Sequence, residues 1–419
     1  MPKTSFRQFS EGRENNFDFL RLFFAALVIF AHSFAFLYNG TLAGFDPLVR
    51  FSRGQVGLGG LAVDGFFLIS GFLVTKSWLR SKGAWDYTKK RALRILPALV
   101  GVLLFCALVI GPLTTSLRLS AYFLRPQTWL YVGFMLYPQI RYHDYLPGVF
   151  AHNPLPLQVN HSLWTIRYEA ICYVLVAVLG LISLYRRPRQ VLAVGIGVYL
   201  LSVLPFSLHR TFGEAGVCFH LLLYFLVGML FLLYQDVIPY SRGLFLFSAL
   251  GLIAATAGGV LDPVRPLLFA YVLFFLAFNK RLKLQHVARH GDLSYGIYLY
   301  ACPVQQTLVL TFQHALTPTT LFLCALAITG GLAMLSWRLI EKPFLSLKSR
   351  PAQARSEGNR EEGTGNREKP HKAPTPNSRG GGTILDVGTL PMSLLLPEDR
   401  GRSQGMSAPS PLVGEGEGG

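Results

Sequence analysis

An arginine and a histidine eleven positions apart in one apolar run are the first residues here whose types and spacing imply chemistry. The run is FDFLRLFFAALVIFAHSFAFLY, residues 17–38, and the pair is Arg21 and His32. On an α-helix they lie roughly 20° apart on one face and about 16 Å apart along the axis. An imidazole takes up a proton near neutral pH, and a guanidinium binds phosphate through charge-assisted hydrogen bonds. Ionisable groups inside a membrane-length helix are costly, and by default they mark a pathway or a site. Each also has a structural reading: Arg21 can snorkel to the interface, and His32 can be a neutral imidazole bonded to a neighbouring helix.

Two carboxylates fall at a similar depth. Asp64 is the second residue of the run VDGFFLISGFL, with Ser70 and Gly71 about 9–10 Å further in, and Glu169 lies in NHSLWTIRYEAICY. Counted along helices crossing a core of about 30 Å, His32, Asp64 and Glu169 all come to lie about 10 Å below the outer surface. A base with carboxylate orienters is the arrangement that acyl transfer to a hydroxyl requires. The structural alternatives are an Asp64–Arg167 salt bridge, pairing of Glu169 with an arginine or with Tyr168 or Tyr173, and a small-residue helix contact at Ser70-Gly71. Residues 89–94 hold four positive charges, Lys89, Lys90, Arg91 and Arg94. Arg91 and Arg94 are i,i+3 neighbours able to clamp a phosphate, with Lys90 beside them. Membrane anchoring by positive charge is the other reading of that cluster.

The elements that must position these residues are helices in a bilayer. Of 419 residues, 51% are hydrophobic and 15% charged, with a mean hydropathy of +0.39. An all-α polytopic membrane protein follows. The net charge of +17 lies in short loops between apolar runs, so it reads as membrane orientation, with no nucleic-acid partner. Ten spans are expected, at roughly 19–38, 61–79, 95–116, 163–184, 191–208, 216–234, 243–260, 264–279, 293–312 and 319–339. With a cytoplasmic N-terminus, the inner segments before the tail hold 18 Lys and Arg against 7 in the outer ones, placing both termini in the cytoplasm. The Pro-interrupted stretch 121–140 is expected as an outer, partly re-entrant segment. Residues 1–16 form a cytoplasmic N-terminal segment with no cleavable signal, 17–345 the membrane domain, and 346–419 a disordered cytoplasmic tail. The five cysteines, unpaired in spacing, read as small buried hydrophobes and give neither a disulfide framework nor a metal site.

With these residues in place, the chain resembles the membrane acyltransferase family 3, whose members O-acylate sugars of cell-surface and secreted glycans. The matching pieces are FDFLRLFFAALVIFAHS, VDGFFLISGFL, KKRALRILP, NHSLWTIRYEAICY, LSYGIYLYACPV and WRLIEKPFL, in family order from residue 17 to about 345. The resemblance implies a bacterial inner-membrane enzyme with acyl-CoA, acetyl-CoA above all, as co-substrate and no permanently bound cofactor. It also implies a glycan acceptor such as exopolysaccharide or lipopolysaccharide, or a lipid-linked sugar, among membrane lipids. Carried over, the essential histidine is His32, the donor-side arginine Arg21, and the phosphate pair Arg91 and Arg94, with Ser70 and Lys90 added on the donor side. Asp64 and Glu169 are the expected orienters, and transfer can run directly or through an acyl-histidine. One departure is Ala170, where relatives often carry a second acid after Glu169. The rival reading is a transporter or flippase moving a polar solute through the same charged layer. A purely structural scaffold would leave His32, Asp64 and Glu169 unexplained.

Overall fold

Asn16, the residue before the first apolar run, decides where that run begins in space. Its side-chain amide donates to the carbonyls of Leu276 and Asn279 at 3.0 and 2.9 Å, and its backbone N–H to Ala277 at 2.7 Å. The first helix is thereby pinned to the end of a helix more than 250 residues later. In the computed structural model the residues described are 5–10, 15–39, 41, 44–136, 145–203, 214–282, 284, 291–312 and 315–347. The expected disordered tail falls outside them.

Ten main helices follow. They are α1 (Phe17–Tyr38), α2 (Leu58–Leu79), α3 (Ala84–Phe105), α4 (Trp164–Leu181), α5 (Pro188–Val203), α6 (Glu214–Leu233), α7 (Arg242–Gly258), α8 (Leu261–Phe278), α9 (Ser294–Phe312) and α10 (Pro318–Ser336). Helix α3 runs on through a π turn, Cys106–Ile110, into Gly111–Thr114, and α10 through a second π turn, Trp337–Glu341, into Lys342–Ser346. Among the described residues there is no strand beyond two isolated bridges. Among the described residues, seven helices are long and apolar enough to cross a membrane: α1, α2, α3 with its extension, α4 with its preceding turn, α6, α8 and α10 with its extension. Helix α9, with Tyr295, Tyr298, Tyr300, Gln305 and Gln306, is more polar. The chain is thus a multi-pass, all-helical membrane protein.

Two expectations shift in detail. Helix α3 starts at Ala84, so the basic residues 89–94 lie on its second and third turns and not in a loop. Asp86 in the first turn complements the helix dipole and pairs with Lys90 four residues on, at 2.6 Å, which extends the helix outward from the apolar run. The stretch after α3 folds as two short helices, Leu119–Leu124 and Pro126–Leu136. The longer spans about 16 Å, too short to cross a core of about 30 Å.

In lipid, helices gain little from burying apolar surface against one another, so close packing and polar contacts must hold the bundle. The tightest pair is α2 against α6. A Cβ on Gly71 would stand 2.0 Å from the carbonyl oxygen of Phe225, and one on Gly228 would stand 2.1 Å from that of Leu68. The two backbones therefore meet directly, and Ser70-Gly71 does include a small-residue contact. Aromatic rings fill the end of the bundle where α1 begins: Phe17 packs on Phe72 and Phe278 at centroid distances of 5.5 and 5.3 Å. Gly71→Ala is expected to force α2 and α6 apart at a cost of about 1–3 kcal/mol. The unfolding temperature of the detergent-purified variant measures this, and an unchanged value would count against the contact.

Candidate active site

One elongated cavity of about 270 Å3 runs between α1, α2, α3, α4 and α9. Its lining residues fall into two groups by position along these helices. At the basic end lie Arg21 from α1, Arg91 and Arg94 from α3, Tyr173 from α4 and Ser294 and Tyr295 from the start of α9. At the other end lie Val63 and Phe66 from α2, Thr165 from α4 and Tyr298 from α9. The Thr165 and Tyr298 hydroxyls are 2.7 Å apart, and Phe66 packs edge-on to Tyr298 at 5.8 Å. Ser70, Phe67 and Leu73 of α2 form the wall between, with Glu169 opposite on α4.

The arginines are held differently. Arg21 and Arg94 both donate to one oxygen of Asp292, in the connection before α9, while its other oxygen accepts from the backbone N–H and hydroxyl of Ser294. Burial pushes the Asp292 carboxyl up, but the two guanidinium groups and the Ser294 donors overcome this and hold it well below the usual carboxylate range. Arg94 also has Glu341 at 3.5 Å, a carboxylate 2% exposed that the π turn at the end of α10 directs inward. Arg91 donates to the Ser77 hydroxyl at 3.3 Å and stacks over Tyr173 at 5.7 Å. Its Nε is buried without a hydrogen-bond partner among the described residues. A half-buried guanidinium that lines a cavity and keeps a donor open is able to hydrogen-bond an anion there.

His32 stands beyond the hydroxyl end. Its Nδ1 is 3.6 Å from Cys302 Sγ, and Cys302 is one turn past Tyr298 on α9. The exposed His161 ring lies 6.1 Å from the His32 ring. Ser162 closes the gap between cavity and histidine, because its carbonyl accepts from Tyr298 at 2.8 Å and its hydroxyl meets Cys302 Sγ at 2.9 Å.

The structure thus brings Arg21, Arg91, Arg94, Ser70 and Glu169 to one cavity, with His32 just past its end. Asp64 is placed elsewhere. Val63, Phe66 and Phe67 of α2 face the cavity, which turns Asp64 away toward α6 and α8. There it takes His220 Nε2 at 2.8 Å and Arg265 Nε at 3.4 Å, and Arg265 also donates to the Tyr224 hydroxyl at 2.6 Å. Asp64 therefore links three helices, and among the described residues no contact between it and His32 is seen. Glu169 accepts from the Tyr173 hydroxyl at 2.6 Å and likewise does not touch His32. Lys90 is bound to Asp86 and, at 3.2 Å, to Ser81, and lies outside the lining of this cavity. Asp292, Thr165, Tyr298, Ser162, Cys302 and Glu341 were not singled out from sequence. All but Asp292 lie inside the quoted motifs, and Asp292 precedes LSYGIYLYACPV by one residue.

Residues 14–338 match the family model of an acyltransferase domain. The chain belongs to acyltransferase family 3. Among curated relatives, nodulation protein 10 of Rhizobium leguminosarum bv. viciae is 30% identical over 374 residues, covering 81% of this chain and 95% of the relative. An O-acetyl transferase of Shigella phage Sf6 is 28% identical over 345 residues, covering 80% of this chain and 98% of the relative. No solved structure matches the chain. Family membership supports transfer chemistry over the transporter reading.

Proposed function

We propose that this acyltransferase moves an acyl group, acetyl above all, from cytoplasmic acyl-CoA to a hydroxyl of a cell-surface or secreted glycan or its lipid-linked precursor. The observation that carries the reading is the polarity of the cavity, with three arginines at one end and His32 past the other. The phage relative's name supports acetyl as the group. About ten spans, with both termini cytoplasmic and the chain in a bacterial inner membrane, would put the basic end at the cytoplasmic face. Acyl-CoA phosphates would then meet Arg91, Arg94 and Arg21. At about 270 Å3 the cavity is near the small end of ligand sites (roughly 300–1,000 Å3), which suits a slender thioester arm better than a nucleotide.

The thioester carbonyl would come to rest near Thr165 and Tyr298. His32 takes the proton of the acceptor hydroxyl as that oxygen attacks the carbonyl carbon. The tetrahedral intermediate collapses, the carbon–sulfur bond breaks, and the imidazolium returns the proton to the leaving thiolate, giving ester and free CoA. Glu169, bonded to Tyr173 in the cavity wall, fixes that wall and takes no part in the proton transfer.

Glycan mass in cells with and without the protein tests the reaction: a gain of one acyl group supports the reading, and identical masses would refute it. Arg91→Ala tests the donor end. Losing a charge-assisted phosphate bond should raise the KM for acyl-CoA about 10- to 150-fold, with little change for the acceptor. An unchanged KM would leave Arg91 a membrane anchor.

A further inference from the structure

Three side chains beyond the hydroxyl end stand in a line. Ser162 Oγ is 2.9 Å from Cys302 Sγ, and Cys302 Sγ is 3.6 Å from Nδ1 of His32. Ser162 and Cys302 are both buried, and each is held from a second direction. The Ser162 carbonyl accepts from Tyr298 at 2.8 Å and from Thr165 at 3.3 Å. Cys302 rides on α9, which Gln305 ties to α1 by donating to the Ile29 carbonyl at 2.8 Å and the Ser33 hydroxyl at 2.9 Å. Ile29 and Ser33 flank His32 on its own helix, so this link fixes the thiol against the imidazole.

We propose that Cys302 is the positioning residue for His32, accepting the ring's Nδ1–H and leaving the lone pair of Nε2 for the acceptor hydroxyl. This rests on the reading of His32 as the base. The partner of one ring nitrogen fixes both the tautomer and the orientation of an imidazole. Were the thiol to donate to Nδ1, the remaining proton would sit on Nε2 and no basic nitrogen would face the acceptor. With Nδ1–H donated to sulfur, the Cys302 S–H passes to Ser162 Oγ and Nε2 is free. Only the second arrangement lets His32 take a proton. A carboxylate is the usual group for this task, but Asp64 and Glu169 are engaged elsewhere. A neutral thiol directs the ring without burying a further charge in the apolar interior. Cys302 stays a thiol throughout and forms no bond to the acyl group.

Two measurements on the full-length protein test this. In membrane vesicles carrying the native acceptor and supplied with labelled acetyl-CoA, Cys302→Val should lower the rate of transfer about 2- to 10-fold at unchanged KM for acetyl-CoA. Cys302→Ser, which keeps a hydrogen-bonding group, should stay nearer the wild type. A packing role would reverse that order, because valine fits an apolar place better than serine. The second measurement is 15N NMR of histidine-labelled protein, with the His32 signals identified by their loss in His32→Gln. Wild type should show a protonated Nδ1, and Cys302→Val a shift toward protonated Nε2. A wild-type ring protonated on Nε2, or valine equal to or better than serine with the tautomer unmoved, would overturn the proposal. A fully active His32→Gln would instead overturn the base assignment, so the two failures are distinct.

Discussion

His32→Gln is expected to abolish acyl transfer while leaving the protein folded and inserted. Glutamine reaches about as far as histidine and still forms hydrogen bonds, so the contact with Cys302 can persist while basicity is lost. Loss of a positioned general base lowers rates by about 10²–10⁴-fold, roughly 3–5 kcal/mol of barrier. The structural cost is small by comparison, because among the described residues the ring's hydrogen bond is a weak one to sulfur at 3.6 Å. The assay is labelled-acetyl transfer in membrane vesicles, read beside unfolding temperature and membrane yield. Transfer within a few-fold of wild type would make His32 a packing residue and end the mechanism proposed for it. Loss of transfer together with loss of folded protein would show a structural role instead.

What sequence could and could not show follows from what helical spacing encodes. Arg21, Arg91 and Arg94 were legible because a charge in or beside a membrane-length apolar run must be explained, and a spacing of eleven or three residues fixes a shared face. Position along each helix could be counted from the sequence, since rise per residue is constant. Azimuth could not. Asp64 was expected at the depth of His32, yet α2 presents Val63 and Phe66 to the cavity, and Asp64 pairs with His220 and Arg265 instead. The small-residue reading of Gly71 anticipated the α6 contact, but only the fold shows that Phe225 is what it meets. Cys302 looked like an ordinary buried hydrophobe, because its relation to His32 exists only once α1 and α9 are packed together. Asp292 sits in a polar connection where one acid carries no periodic signal, although it joins residues 271 and 198 positions away.

That junction carries the other large expected effect. Asp292→Asn removes the one carboxylate shared by Arg21 and Arg94, leaving two mostly buried guanidinium groups to face each other. Their side chains are 23% and 15% exposed and that of Asp292 is 16%. Breaking a buried ion pair from one side typically costs 3–5 kcal/mol, and the residual exposure puts this case near the lower end, about 3 kcal/mol. Glu341 at 3.5 Å from Arg94 offsets part of the loss there, whereas Arg21 has no second carboxylate within 4 Å among the described residues. The variant should therefore unfold several degrees earlier than wild type at neutral pH. The sign with pH is fixed by the depressed carboxyl: its contribution is fully present above the unfolded value of about 3.9 and is lost as pH falls through the lower folded value. The gap between wild type and variant should accordingly hold from neutral pH down to about 4 and narrow only in stronger acid. Donor binding gives an independent reading of the same charges. If acyl-CoA phosphates dock on Arg21 and Arg94, they supply the missing negative charge, and saturating CoA should raise the variant's unfolding temperature more than that of wild type. Equal shifts in the two proteins would place the phosphates elsewhere, and an unfolding temperature unchanged by the substitution would show that the Asp292 junction does not hold the basic end together.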